Sequence, residues 1–337
     1  MATSNVLEAV YNRQRPKRIP FVPALYDFKA TLAGVPGHLF GRSADEYRLA
    51  LDREVEELGV DAVTVGYDIY NVEAEAVGAV VDRSDRLSMP EIAEPLVDDL
   101  GDLGSLRVPA APSERMALLA EVCRDAVDRY ENVAVRCGMS GPFSVAASLY
   151  PRDRLLVDLL MNPDGVSALL RVATETIKLF CTAVAGSGAD IVLFDSFVSP
   201  PLLGPPQYEQ LVQPLHREII DYARTLGAKR VSLIAGGDTR PIVGLLEATG
   251  ATSLLLDYVI PPEGAADVIA AHQVPFRVNL APQLIAEGRE EQIEDGVLAL
   301  TSALAHRPYW ICGTGILSAG TPIEHVRLVR DLLDARR

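Results

Sequence analysis

A chain of 337 residues with 49% hydrophobic and 23% charged side chains can bury a large core, which excludes a disordered chain. Its 46 acidic against 31 basic residues give a formal net charge of −15, and no basic stripe interleaved with aromatics opposes that field, so nucleic acid and anionic membranes are not expected partners. No apolar run approaches the roughly 20 residues that span a bilayer, and the first residues carry no secretory pattern, so a cytoplasmic location is expected.

In chain order, short β-rich runs alternate with longer stretches of helical periodicity, the pattern of parallel βα units. Strands are expected at Ile19–Leu25, Gly59–Val65, Asn132–Cys137, Ala189–Phe194, Arg230–Ala235, Thr252–Leu256, Pro275–Leu280 and Pro308–Cys312. Continuous apolar runs such as Ile191-Val192-Leu193-Phe194 suit strands buried on both faces. Ser43 with Glu46 marks one helix start, and Thr321 followed by Pro322 marks another. The stretch 152–186 reads as two helices broken at Asn162-Pro163. The Asp- and Pro-rich stretch from Asp82 to Pro112 reads as an insertion with a short helix between the second and third strands. Eight units without a Gly-x-Gly-x-x-Gly after the first strand predict one (β/α)8 TIM barrel, class α/β, spanning residues 1–337 as a single domain.

Residues just after each barrel strand face one mouth, where barrel enzymes place their chemistry. Those positions hold Tyr26, Asp68 and Tyr70, Arg136 and Cys137, Asp195 and Ser196, Asp238, Asp257, Asn279 after Arg277, and Thr314 between two glycines. A single aspartate there is more often a helix cap, but acids or hydroxyls after nearly every strand point to a ligand, a cation or a shared proton. Arg136 suits a carboxylate, either Asp195 or one on a ligand. Cys137 is better read as an inert buried thiol, and the five histidines as solvated or capping groups. Gly313-Thr314-Gly315 suits either backbone approach of a ligand or a tight turn. The four cysteines form neither a disulfide framework nor a zinc knuckle.

With these strand ends in order, the chain resembles the uroporphyrinogen decarboxylase superfamily, which includes corrinoid-linked methyltransferases acting on coenzyme M. The resemblance is carried by Gly66-Tyr67-Asp68-Ile69-Tyr70 with Glu73, Gly141-Pro142-Phe143-Ser144, Leu193-Phe194-Asp195-Ser196, Leu256-Asp257-Tyr258, Asn279-Leu280-Ala281-Pro282 and Gly313-Thr314-Gly315. It implies the same barrel. Where the decarboxylases carry a basic carboxylate clamp, this chain has Ala24-Leu25-Tyr26-Asp27-Phe28, which disfavours a polycarboxylate tetrapyrrole. Asp68 falls at the decarboxylase aspartate. The methyltransferases bind zinc through a His-x-Cys pair and a Cys, and the corresponding Leu233, Ala235 and Thr314 leave zinc in doubt, no metal ligand assigned and the cofactor unknown.

The expectation is therefore a divergent, methyltransferase-like enzyme acting on a small polar substrate. Asp68, Asp195 and Asp257 are its catalytic candidates. Tyr26, Tyr70, Arg136, Ser196, Asp238, Arg277, Asn279 and Thr314 are the substrate-binding candidates. One alternative is a metal-independent decarboxylase or lyase using Asp68; another is a non-catalytic binding or scaffold barrel. Beyond the substrate, the expected partners are a corrinoid protein and a second copy in a homodimer.

Overall fold

The computed structural model describes residues 6–336 except Ile69, 85–88 and Pro308. Eight parallel strands follow one another around a nearly closed barrel: β1 Phe21–Ala24, β2 Ala62–Val65, β3 Ala134–Ser140, β4 Asp190–Phe194, β5 Val231–Ile234, β6 Ser253–Leu256, β7 Phe276–Leu280 and β8 Trp310–Ile316. Each overlaps an expected run. They are legible because β-branched and leucine-rich segments lie between turn residues, and both faces of each strand are buried. Helices fill the crossovers that parallel pairing requires.

The barrel closes by two different bonds. β1 pairs with β8, with a register shift between Val22 and Ala24, but β1 and β2 share no ladder. Asp61 bridges that seam: its N–H donates to Phe21 O (2.9 Å) and its carboxylate accepts Phe21 N–H (2.7 Å). Arg18 donates twice to the same carboxylate at 2.6 Å, and Arg330 once at 3.1 Å.

Apolar side chains divide by face. The large core lies between strands and helices. Inside the barrel, Val22, Ala62 and Ile311 form a lower layer against Leu7 and Val10 of the N-terminal helix Val6–Tyr11. Ala24, Tyr26, Val192, Phe194, Ile234 and Leu255 form an upper layer. The upper layer lies at the carboxyl ends of the strands.

Three helix details refine the sequence reading. Ser43 Oγ accepts Glu46 N–H (3.3 Å), and the Glu46 carboxylate reaches back to Arg42 N–H (3.0 Å), so this start holds. Asn162 separates helices Arg152–Met161 and Pro163–Val184 and caps the second through Gly165 N–H (3.1 Å). Thr321 is not a cap: its helix begins at Ile323, and the threonine hydroxyl instead meets Ser318 (3.3 Å). Between β2 and β3 the chain forms an antiparallel pair, Val81–Asp82 with Glu91–Ile92, and a 3-10 helix at Leu100–Ser105. No helix among the described residues is long and apolar enough to cross a membrane.

Candidate active site

A cavity of about 340 Å³ opens at the carboxyl ends of the strands. Seven of the expected site residues line it: Tyr26, Tyr70, Ser196, Asp257, Arg277, Asn279 and Thr314. Asp68, Arg136, Asp195 and Asp238 do not.

Arg277 gives the cavity its chemistry. It sits on β7 beside Leu255 of β6 and Ile311 of β8, only 5% exposed. Among the described residues it has no ion pair or hydrogen bond, and its Nε is buried without a partner. Burial, followed by the charge of Arg136, pulls its pKa down to about 10. That shift corresponds to roughly 3 kcal/mol against the charged form.

Arg136 requires a correction. β3 runs on through Gly138, Met139 and Ser140, so Arg136 lies four residues before the strand end, inside the barrel and not at the mouth. It donates to Thr64 Oγ1 (2.6 Å), and its Nε also lacks a partner. Two guanidiniums thus share the barrel interior, neither of them paired to a carboxylate.

Above this floor, Tyr26 packs edge-on to Phe194 with ring centres 5.7 Å apart. Burial raises the Tyr26 pKa further above the usual phenol range. It pushes Tyr70 up to about 12, only partly offset by the Tyr70–Ser196 hydroxyl pair at 2.7 Å. Both phenols are therefore hydrogen-bond donors at neutral pH. Asp257 follows β6; its oxygens accept Gly237 N–H and Tyr258 N–H, each at 2.7 Å, and among the described residues it forms no ion pair, although its charge reaches Arg277 across the cavity. Asn279 Oδ1 has no partner, and Thr314 Oγ1 accepts Ala24 N–H (3.0 Å) across the irregular end of β1. Gln283, on the first turn of helix Pro282–Glu287, also lines the cavity and carried no signal in the sequence beyond its neighbouring motif.

Gly313-Thr314-Gly315 is strand rather than turn. A Cβ on Gly313 would meet Asn279 Oδ1 at 2.6 Å and Arg277 Cδ at 2.8 Å. A Cβ on Gly315 would meet Pro282 Cδ at 2.6 Å and Tyr258 Cε1 at 2.9 Å. The glycines make room for side chains of the cavity.

The remaining candidates are committed elsewhere. Asp195, fully buried, accepts Phe143 N–H (3.1 Å), Ser144 N–H and Ser144 Oγ–H (each 2.7 Å), and His216 Nε2–H (2.9 Å). It thereby binds the start of helix Pro142–Leu149, where unpaired N–H groups favour an anion. A Cβ at Gly141 would lie 2.3 Å from Asp195 Cβ, which explains a glycine there. His216 is neither solvated nor a cap: it is fully buried between Asp195 and the Tyr208 hydroxyl, 3.0 Å from Nδ1. A carboxylate only accepts, so Nε2 carries the hydrogen, and in the neutral ring Nδ1 accepts from Tyr208. Asp68, 2% exposed, pairs with Arg115, accepts from Asn71 (3.1 Å) and lies 3.8 Å from Arg83. Asp238 is held by Arg240 at the surface, which lowers its pKa. Glu73, unassigned by sequence reasoning, is fully buried and accepts Ser140 N–H (2.8 Å) and Ser140 Oγ–H (3.0 Å), and burial pushes it up to about 7. All four thiols are free and buried, and burial raises Cys312 to about 12.

The residues present do not fit a thiolate-activating zinc. Leu233 and Ala235 are buried apolar groups, and the Thr314 hydroxyl is engaged by β1. Among the described residues no three His, Cys, Asp or Glu side chains converge as a cation site.

A parallel barrel with a polar, arginine-floored cavity at its strand ends defines an enzyme-like ligand site of the TIM-barrel class. The chain belongs to the uroporphyrinogen decarboxylase family, whose model matches residues 2–336. A uroporphyrinogen decarboxylase of Cereibacter sphaeroides is 24% identical over 242 residues, covering 69% of this chain and 70% of that protein. Among solved structures, a methyltransferase from Methanosarcina mazei superposes with a TM-score of 0.83 at 19% identity, covering 98% of this chain and 97% of the other. A B12-independent methionine synthase from Shewanella sp. W3-18-1 gives 0.56 at 11% identity, with 94% and 95% covered. Both likenesses concern the fold.

Proposed function

We propose that the chain is a methyltransferase-like enzyme of this family acting on a small substrate anchored by a carboxylate or similar anion on Arg277. The observation that carries the reading is an unpaired guanidinium, 5% exposed, at the floor of the cavity. A bidentate anion supplies the hydrogen bonds and charge that Arg277 lacks. Tyr26 and Tyr70, held protonated by burial, donate further hydrogen bonds. The volume lies near the lower end for ligand pockets, which suits a small molecule rather than a tetrapyrrole.

Decarboxylation through Asp68 is less well supported, because Asp68 is paired with Arg115 and lies outside the cavity lining. A scaffold role leaves two buried guanidiniums without a purpose that offsets their desolvation. Whole-chain overlap with a methyltransferase supports that branch, and a corrinoid protein docking over the mouth is the partner proposed for the transfer.

Calorimetric titration with propionate tests the anchor. The intact chain should bind it, and Arg277→Ala should weaken binding about 10- to 100-fold, the value of one charged hydrogen-bonded contact. Equal affinity in the two proteins removes Arg277 from the reading.

A further inference from the structure

We infer that the cavity takes a zwitterion, a small carboxylate that also carries a methylated ammonium group. The inference rests on Arg277 as carboxylate anchor and adds the opposite end of the ligand.

Asp257 is the second charge that lines the cavity without an ionic partner among the described residues. Arg277 pairs in register with Leu255, two residues before Asp257 on the adjacent strand. At about 3.3 Å per residue, Asp257 stands some 7 Å nearer the mouth than Arg277. A free cation below and a free anion above match a molecule bearing the opposite charges in the opposite order.

The walls between them favour an ammonium without N–H groups. Tyr26, Tyr70, Phe194 and Tyr258 line the cavity, in a chain of only 6% aromatic residues. Aromatic faces attract alkylammonium groups through their quadrupoles. Each Asp257 oxygen accepts one backbone N–H, and the Tyr70 and Ser196 hydroxyls share a single hydrogen bond. Asn279 Oδ1, unpartnered, lies against Gly313, which pairs with Asn279 two residues beyond Arg277 on β7. The upper cavity therefore joins a carboxylate without an ion pair to aromatic rings, the surroundings that suit a methylated ammonium. Bound in this order, the ligand presents its methyl groups at the mouth, where the proposed partner docks.

The test compares trimethylglycine with 3,3-dimethylbutanoate, the same shape with carbon in place of nitrogen, by calorimetric titration of the whole chain. The intact protein should prefer trimethylglycine by about 10-fold or more. Asp257→Asn should remove most of that preference, while Arg277→Ala should weaken both ligands. Should Asp257→Asn fail to fold, Tyr258→Leu at the rim should lower affinity for trimethylglycine alone. Equal binding of the two ligands by the intact chain overturns the zwitterion while leaving the carboxylate anchor standing. Binding of neither ligand removes both.

Discussion

Arg277 and Asp195 show how opposite fates follow from similar burial. Asp195 has four donors around two oxygens, so its charge is fully compensated and serves to fasten the helix at Pro142. Asp195→Ala should strand the Ser144 and His216 donors and lower stability by about 3 kcal/mol or more, read by urea denaturation. Arg277 has no such compensation and keeps its charge available to a ligand. Burial and the charge of Arg136 disfavour its charged form, a penalty that a bound carboxylate offsets. Asp68→Asn leaves Arg115 with Glu75 as its only strong acidic contact and should itself destabilise by about 3 kcal/mol, so loss of turnover in that variant must be read beside its melting curve.

At the scale of elements, β8 and β3 decide which side chains meet. Gly313 leaves the space that the Arg277 stem and Asn279 occupy. Gly313→Ala should displace both, lowering propionate affinity as strongly as Arg277→Ala while the circular dichroism spectrum stays that of an α/β barrel. Strand positions were legible in the sequence because apolar β-branched runs stand between turn residues. Their ends were not: β3 runs three residues past Cys137, which moved Arg136 from the mouth into the barrel. Asp195, Ser196 and Asp257 were visible as acids and hydroxyls following strands, but nothing local distinguishes an aspartate that fastens a helix 51 residues away from one that faces a ligand. His216 was hidden for the same reason, since its partners are Asp195, just after β4, and Tyr208, eight residues earlier in the chain.

For the whole molecule, two features outside the cavity set stability. Asp61 substitutes for a missing ladder between β1 and β2, so Asp61→Ala should open the seam and cost about 3 kcal/mol, seen as a lowered melting temperature. Glu73 sets a pH dependence. Its pKa is about 7 in the folded chain against an ordinary 4.5, so the folded state binds an extra proton between those values. Stability is then greatest below about pH 4.5 for this group and falls by roughly 3 kcal/mol as pH rises to 7. Glu73→Gln keeps an acceptor for Ser140 N–H and should flatten that slope between pH 5 and 8.

Arg277 is a buried, unpaired guanidinium at the floor of the cavity. Its most direct measurement is a crystal structure of the chain grown with propionate. The carboxylate should lie within hydrogen-bond distance of the Arg277 guanidinium, with its alkyl end toward Asp257. Propionate absent from the cavity, with Asp257 or another carboxylate of the chain paired to Arg277, would contradict it.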